Sequence, residues 1–422
     1  MPVTAGERIL AHRDAVLEAG ERFFAAHAAE LANACWGMAR RFHRGGRLVV
    51  HGAPGPAFSD AQHNAVEFIH PVLVGKRALP AISVPDRAHL ELLAGPDDIR
   101  MEVGGGRLVV DGAALDAGTP DELVAQEVLE TAYHELWELV HVFFEHEGLL
   151  AEGCTDEVCV TCGDVALPAA VVWVRGVTGL VRTAQGEEEA DLSLVAPVAP
   201  GELVLVHGGV ALERVKPIDR FSREFYPFLS GEAVDVPGVL ADLVASVQAK
   251  WEDVAALRRA MDLGAVEAAL GTLLAALAAG GTVLTFGNGG SATDAADLAA
   301  DLRARGVPAL DLAEEPAVIT AVANDVGFDE VFARQVIALG RSGDVAVGIS
   351  TSGGSGNVLR GLRQAKRQGL ATIALAGYGG GAMSGEGALD HLLVTESTYV
   401  PRIQEAQATI YHALVRGLGD MP

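Results

Sequence analysis

Hydrophobic positions divide the chain into stretches of different period. Over residues 9–43 apolar side chains recur three and four apart, which predicts an amphipathic helix in two segments. A short β-branched run ends in Gly52-Ala53-Pro54-Gly55-Pro56, and a second helical pattern begins at Ser59. The helical period returns over about 239–261 and again over 263–280, where a small-residue stretch reads as a buried helix. Beyond it, apolar runs at 282–286, 308–312, 344–349, 371–376 and 391–395 alternate with helical patterns. This alternation predicts a doubly wound parallel sheet with ligands at the carboxyl ends of its strands. The middle differs. Runs at 169–174, 180–184, 190–195 and 202–207, separated by Gly176, Gly186 and Pro200-Gly201, predict a small all-β barrel or sandwich. The acidic run Glu187-Glu188-Glu189 reads as a solvated hairpin turn, and residues 217–237 read as a linker.

Two loops carry candidate chemistry. Gly287-Asn288-Gly289-Gly290-Ser291 joins a strand to a helix. Glycines bring the backbone close to a ligand there, and free N–H groups with the helix dipole favour an anion. Ser350-Thr351-Ser352-Gly353-Gly354-Ser355 stands at a second strand–helix junction. Its hydroxyls can donate to phosphate oxygens without positive charge; the plainer reading is a capped turn.

The chain also repeats itself. Gly45-Gly46-Arg47-Leu48-Val49-Val50-His51-Gly52 runs parallel to Gly280-Gly281-Thr282-Val283-Leu284-Thr285-Phe286-Gly287. Gln126-Glu127 with Tyr133-His134 matches Gln404-Glu405 with Tyr411-His412. Gln to His is eight residues both times, so both side chains share a helix face. An internal duplication is expected, with copies at 1–148 and 238–422 around a middle domain at 151–216.

Composition narrows the partners. Half of the 422 residues are hydrophobic, so a core-forming globular chain of two or three domains is expected. The net charge of −25 argues against nucleic acid and anionic membranes, which need basic patches. The first residues lack the apolar stretch of an export signal, and no uncharged apolar run is long enough to span a bilayer. A cytoplasmic location is therefore expected. Of four cysteines, Cys154, Cys159 and Cys162 cluster, which suggests metal or thiol chemistry. Three readings stay open: structural zinc, which needs a fourth ligand, a thiol that carries iron transiently, and cysteines that hold no metal. Cys35 lies in an apolar helix and reads as core.

Taken together, the glycine loop, Ala323-Asn324-Asp325-Val326-Gly327-Phe328, the serine-rich loop and Gln404–His412 resemble the sugar isomerase (SIS) domain, and within it the phosphoheptose isomerases. The resemblance implies an α/β fold of two flavodoxin-like SIS domains, three-layer with a parallel sheet, flanking the small all-β barrel. It implies binding of a sugar phosphate by Asn288, Gly289, Ser291, Ser350, Thr351, Ser352 and Ser355. It further implies aldose–ketose isomerisation of sedoheptulose 7-phosphate, with Asp325 in a functional Asn-Asp motif. The family's acid/base glutamate and histidine, and its zinc ligands, fall in the C-terminal copy on Asp297, Asp301, Gln404 and His412. In the N-terminal copy they fall on His63, Glu67, Gln126 and His134. The first set has lost its His and Glu to aspartates; the second is complete but lacks the serine loop. A composite site is expected, with Ser350–Ser355 facing Glu67 and His134; the alternative is an N-terminal copy retained only for dimerisation. The resemblance also implies a homo-oligomer, here a dimer forming a pseudo-tetramer of SIS domains.

The middle stretch has its own resemblance. Cys159-Val160-Thr161-Cys162-Gly163-Asp164 and the ending Val204-Leu205-Val206-His207-Gly208-Gly209-Val210-Ala211 are similar to the HypC/HupF chaperones of nickel–iron hydrogenase assembly. That implies a hydrogenase large subunit and other maturation proteins as partners, with Cys159 or Cys162 as the iron-carrying thiol. Two functions remain open at this point: a maturation factor with a sugar-phosphate-binding unit, or an active isomerase regulated or tethered by the barrel.

Overall fold

The computed structural model describes residues 3–71, 76–145, 150, 167–183, 186–195, 197–207, 209–214 and 236–419. The cysteines Cys154, Cys159 and Cys162 and nearly all of the expected linker lie outside these residues. The chain opens with α1 (Ala5–His43), one continuous helix rather than two. Thr4 and Glu7 form a reciprocal capping box at its start. Gly20, where a break is plausible, instead makes room for a partner: a Cβ there would lie 2.0 Å from the ring of Trp251. That ring stacks on Phe24 at a centroid distance of 5.2 Å.

The N-terminal half continues with β1 (Leu48–Gly52), α2 (Pro56–Ile69), β2 (Ala81–Val84), α3 (Arg87–Leu93), β3 (Ile99–Gly104), β4 (Arg107–Val110), β5 (Ala113–Asp116) and α4 (Glu122–Glu145). The sheet order is β2-β1-β3-β4-β5. Strand β1 lies parallel to β2 and β3, whereas β3, β4 and β5 form an antiparallel meander. The fully parallel sheet expected here is thus corrected to a mixed one. The cause is local. Asp111 and Gly112, with φ of 48° and 87°, form a two-residue turn whose twist suits a hairpin. A parallel neighbour needs a long crossover, and this segment has none.

The middle is a closed five-stranded barrel in the order β10-β8-β7-β6-β9, with β6 (Leu167–Arg175), β7 (Thr178–Thr183), β8 (Gly186–Asp191), β9 (Leu203–His207) and β10 (Val210–Arg214). Val171, Val181, Ala190, Leu192, Val204 and Ala211 fill it. Two expectations change. The acidic run lies within β8, with Glu187 opposite Arg182 and bonded to its guanidinium at 2.8 and 2.6 Å, because that face meets solvent and the pair satisfies it. Strand β10 is additional and closes the barrel by pairing with both β9 and β8.

The C-terminal half comprises α5 (Val236–Arg259), α6 (Leu263–Ala278), β11 (Val283–Phe286), α7 (Gly290–Ala304), β12 (Ala309–Asp311), α8 (Pro316–Asp325), α9 (Val331–Leu339), β13 (Val345–Ser350), α10 (Gly356–Gln368), β14 (Ala371–Ala376), β15 (His391–Val394) and α11 (Val400–Gly417). Its sheet, β12-β11-β13-β14-β15, is parallel throughout, as expected. Strand β13 is buried along its whole length, which explains its unbroken apolar run. No single helix among the described residues is long and apolar enough to cross a membrane.

The halves interlock. Val239, Leu243, Val247, Trp251 and Val254 of α5 belong to the N-terminal core, while Ile9 of α1 lies in the C-terminal one. A cut at residue 238 therefore divides the sequence but not the packing. Gly20→Ala should lower stability by about 1–3 kcal/mol through overpacking against Trp251, although alanine in place of glycine within a helix ordinarily gains about 1 kcal/mol. Urea unfolding of the two proteins measures the sign.

Candidate active site at the junction of the two halves

Helices α2 and α7 each leave the first glycine turn of their half, and they lie against one another. Ser59 Oγ donates to the Thr293 carbonyl at 2.9 Å. Helices α4 and α11 carry the two Gln-Glu…Tyr-His patterns to the same place. Their histidines contact carboxylates of the opposite half: His134 Nδ1 meets Glu405 Oε1 at 3.0 Å, and His412 Nδ1 meets Glu127 Oε1 at 2.9 Å. All four side chains are buried.

The two histidines then diverge. His134 Nε2 faces His63 Nε2 at 3.3 Å, and Glu67 Oε1 stands 3.8 Å from the same His63 nitrogen. Burial, together with Arg402, holds His134 down to about 3. Burial and His134 hold His63 well below its usual value. Both rings are therefore neutral. Burial and Glu138 push the Glu67 carboxyl up to about 8. His412 is the opposite case: its Nε2 lies 3.3 Å from Asp301 Oδ2. Against the cost of burial, Asp301 and Glu127 raise it to about 9, so the ring is an imidazolium. His12 Nε2 adds a further contact to Glu127 at 2.7 Å, and burial notwithstanding, His12 and His412 hold Glu127 well below the usual carboxylate range.

Gln126 and Gln404 are not used as the resemblance suggested. The Gln126 amide goes to Asp60 Oδ1 at 3.4 Å, one turn earlier on α2 than His63. Gln404, from the other half, takes the place beside His63, with Nε2 to Nε2 at 3.1 Å. Asp297 and Asp301 lie on α7 as expected; burial raises Asp297 well above its usual value.

The donor chemistry fits a divalent cation. His134 Nδ1 donates to Glu405, an acceptor that Arg402 also contacts, so His134 Nε2 keeps its lone pair. His63 Nε2 faces it, with the Gln404 amide nitrogen 3.1 Å away. A cation or a proton between the two ring nitrogens satisfies both. Two ligands at zinc–nitrogen bond lengths on a tetrahedral centre lie about 3.3 Å apart, and the observed separation is 3.3 Å. Gln404 Oε1 and Glu67 Oε2 are buried with no hydrogen-bond partner among the described residues.

The serine turn connects to this cluster through the glycine loop. Ser350 Oγ pairs with Ser355 Oγ at 2.9 Å, and Ser352 Oγ accepts from the Gly354 amide at 3.2 Å. Asn357, which follows the turn, exchanges two amide hydrogen bonds with Asn288, at 2.8 and 2.9 Å. Gly289, at φ 57°, starts α7, and Gly290 backs directly onto the cluster: a Cβ there would come 2.7 Å from His63 Nε2 and 2.0 Å from Gln404 Nε2. Ser291 is buried, and Thr351 is half-buried. A cavity of about 560 Å³ lies in the crevice between α2 and α7, with Ser59, Gln62, Gly289, Thr293, Asp297 and Asp311 in its walls. Asp325 is exposed at the end of α8, its carboxylate bonded to the Asn324 amide at 2.7 Å. Cys35 is buried core, as expected, and burial pushes its thiol far up.

Known proteins were compared with this chain. The SIS domain profile matches residues 245–377 and the HupF/HypC family profile residues 165–219. A curated phosphoheptose isomerase of Paramagnetospirillum magneticum is 49% identical over 144 residues, 33% of this chain and 74% of that protein. One of Citrifermentans bemidjiense is 40% identical over 182 residues, 42% of this chain and 93% of its own length. The chain belongs to the phosphoheptose isomerase family. Among solved structures, the phosphoheptose isomerase of Neisseria gonorrhoeae aligns at 36% identity and a TM-score of 0.40, over 41% of this chain and 96% of that one. The SIS and HupF/HypC matches lie in the same chain.

Sequence reasoning missed several residues of the site. Glu127 and Glu405 were legible as repeated neighbours of Gln126 and Gln404. His12, Asp60, Arg258 and Arg402 carried no local signal. The His412 ion cluster predicts a pH dependence. A pKa raised from 6.5 to about 9 stabilises fully below 6.5, and this contribution is lost as pH rises through 9. Raising pH from 6.5 to 9.5 should lower Tm by about 5 °C, and His412→Gln should start lower and vary less over that window in thermal melts.

Proposed function

We propose that the chain is a nickel–iron hydrogenase maturation factor whose SIS part is a duplicated sugar-phosphate site. The HupF/HypC match on the barrel supports the first half of this reading. The duplication draws support from the shared strand order, second-first-third, at the start of both sheets, and from the exchanged His–Glu contacts of α4 and α11.

The observation that carries the sugar-phosphate site is the convergence of His63, Glu67 and His134 from one half with Gln404 from the other, directly behind Gly290. Ser350, Thr351, Ser352 and Ser355 bind the phosphate, helped by the amides of Gly289 and Ser291 at the α7 N-terminus. The carbonyl end of an open-chain sugar reaches past the glycine loop to the buried cluster. His63, His134 and Gln404 would hold a divalent ion, which when bound polarises the substrate carbonyl. Glu67 lifts the proton from the carbon beside the carbonyl and returns it to the former carbonyl carbon, while the hydroxyl proton passes to the former carbonyl oxygen, so the sugar leaves with its carbonyl moved by one position. The clustered cysteines hold metal, either structural zinc or transient iron. The assembly is a dimer that forms a pseudo-tetramer of SIS units.

A second reading, a working isomerase of which the barrel is an accessory, is favoured by Glu67 itself: a buried carboxyl held near 8 beside a neutral histidine suits proton transfer at physiological pH. Two experiments separate the readings. Turnover of sedoheptulose 7-phosphate should fall by at least about 100-fold in Glu67→Gln, and Ser352→Ala should raise KM by about tenfold. No turnover by the parent chain, with sugar-phosphate stabilisation that depends on Ser352, leaves a sensor rather than an enzyme. Co-purification with a hydrogenase large subunit should be lost on Cys159→Ala or Cys162→Ala. Absence of that partner from the parent chain would remove the maturation reading.

A further inference from the structure

The family pattern asks one glutamate, Glu67, to serve both as metal ligand and as base. The junction offers another carboxylate. Glu130 lies on α4 one turn before His134, on the same helix face. It is 2% exposed, and its Oε1 has no hydrogen-bond partner among the described residues. One donor atom on each of His63, Glu130 and His134 lies within 4.8 Å of the other two. Its charged neighbours are chiefly carboxyls, those of Asp294, Glu405 and Asp60, with Arg258 as the opposing cation. A carboxylate so placed needs a proton or a metal to be tolerated.

Two neutral imidazoles and a carboxylate, with a position left open, form a donor set that zinc and similar divalent ions accept. Outer contacts already orient the rings. His134 Nδ1 is fixed by Glu405, and His63 Nδ1 by the Tyr133 hydroxyl at 3.3 Å, which in turn meets Asp60 Oδ1 at 3.4 Å. Such partners fix which nitrogen faces the ion. The amide of Gln404 needs only a half-turn to present its unpartnered oxygen.

We propose that Glu130 is the carboxylate ligand of a divalent cation held with His63 and His134, and that Glu67 is thereby left free to move the substrate's proton. The inference rests on the metal-holding part of the reading above and divides its labour between two residues. The division is invisible in the Gln-to-His pattern: Glu130 falls between those positions, and its counterpart in the other copy is Ala408.

The test is titration of the full-length, metal-stripped chain with zinc chloride by calorimetry, together with zinc content after dialysis. Glu130→Gln keeps the shape and removes the charge; it should weaken zinc binding at least about tenfold. Glu67→Gln should bind zinc within about twofold of the parent chain and yet lose proton transfer, read as exchange of the substrate's carbon-bound proton with solvent deuterium. Zinc lost in Glu67→Gln and kept in Glu130→Gln overturns the assignment. Should Glu130→Gln fail to fold, Glu67→Gln decides alone, because zinc loss there contradicts a free Glu67 and zinc retention supports it. Sugar-phosphate stabilisation is read on the same samples. Failure of the parent chain to bind zinc, with that stabilisation intact, defeats this inference and leaves the sugar-phosphate site standing.

Discussion

The two halves are held in register by charge buried between them. The Arg402 guanidinium, from α11, reaches Glu135 on α4 at 2.7 Å and the Glu405 carboxylate beside it, and both partners are buried. Lys250 on α5 contacts Glu135 at 3.3 Å and also Glu138, which, against the pull of burial, Lys250 and Arg402 draw down to about 2. Arg258 donates to Thr409, Thr131 and the Glu405 carbonyl. Ions removed from water cost several kcal/mol each unless nearly every partner is in place. An apolar junction could slide. This one cannot, because a shift by one helical turn would strand several charges at once. The histidine clusters depend on that lock, since each takes its defining contact from the opposite half.

Within the locked frame, His134 on α4 and His412 on α11 take opposite charge states. Asp301 on one side of His412, with Glu127 and His12 on the other, makes an ion cluster. Leaving His63 beside His134 makes a pair of neutral bases facing one another. The first arrangement is stable as it stands, and the second is incomplete without a cation or a proton. The chain thus concentrates its unspent chemistry on one side of the junction while the other side supplies rigidity.

Much of this was legible in the sequence. The parallel strands of the C-terminal half followed from apolar runs of the right length, because a strand buried on both faces has no polar alternation to confuse with a helix. The serine and glycine turns were plain from composition. The meander of the N-terminal half was less plain, its one local signal being the hairpin pair Asp111-Gly112. The acidic strand β8 misled because charge was taken for a turn, whereas Glu187, Glu188 and Glu189 are all exposed within a strand. The long-range pairs were illegible for a physical reason. His12 with Glu127, and Gln404 with His63, are set by how helices from opposite halves cross, and no local spacing encodes that crossing. Gln126 joined the His63 set through the resemblance, whereas its amide meets Asp60 Oδ1.

The interlocked cores have a consequence for what this chain can lose. Helix α5 sits in the core of the half that precedes it, and α1 reaches the core of the half that follows, so neither half can be excised without opening the other. Among the described residues, the barrel contributes none to either of those cores. It hangs between α4 and α5, two helices already pinned side by side by Lys250 and its glutamates. Because each core borrows a helix from the other half, the paired halves must fold as one.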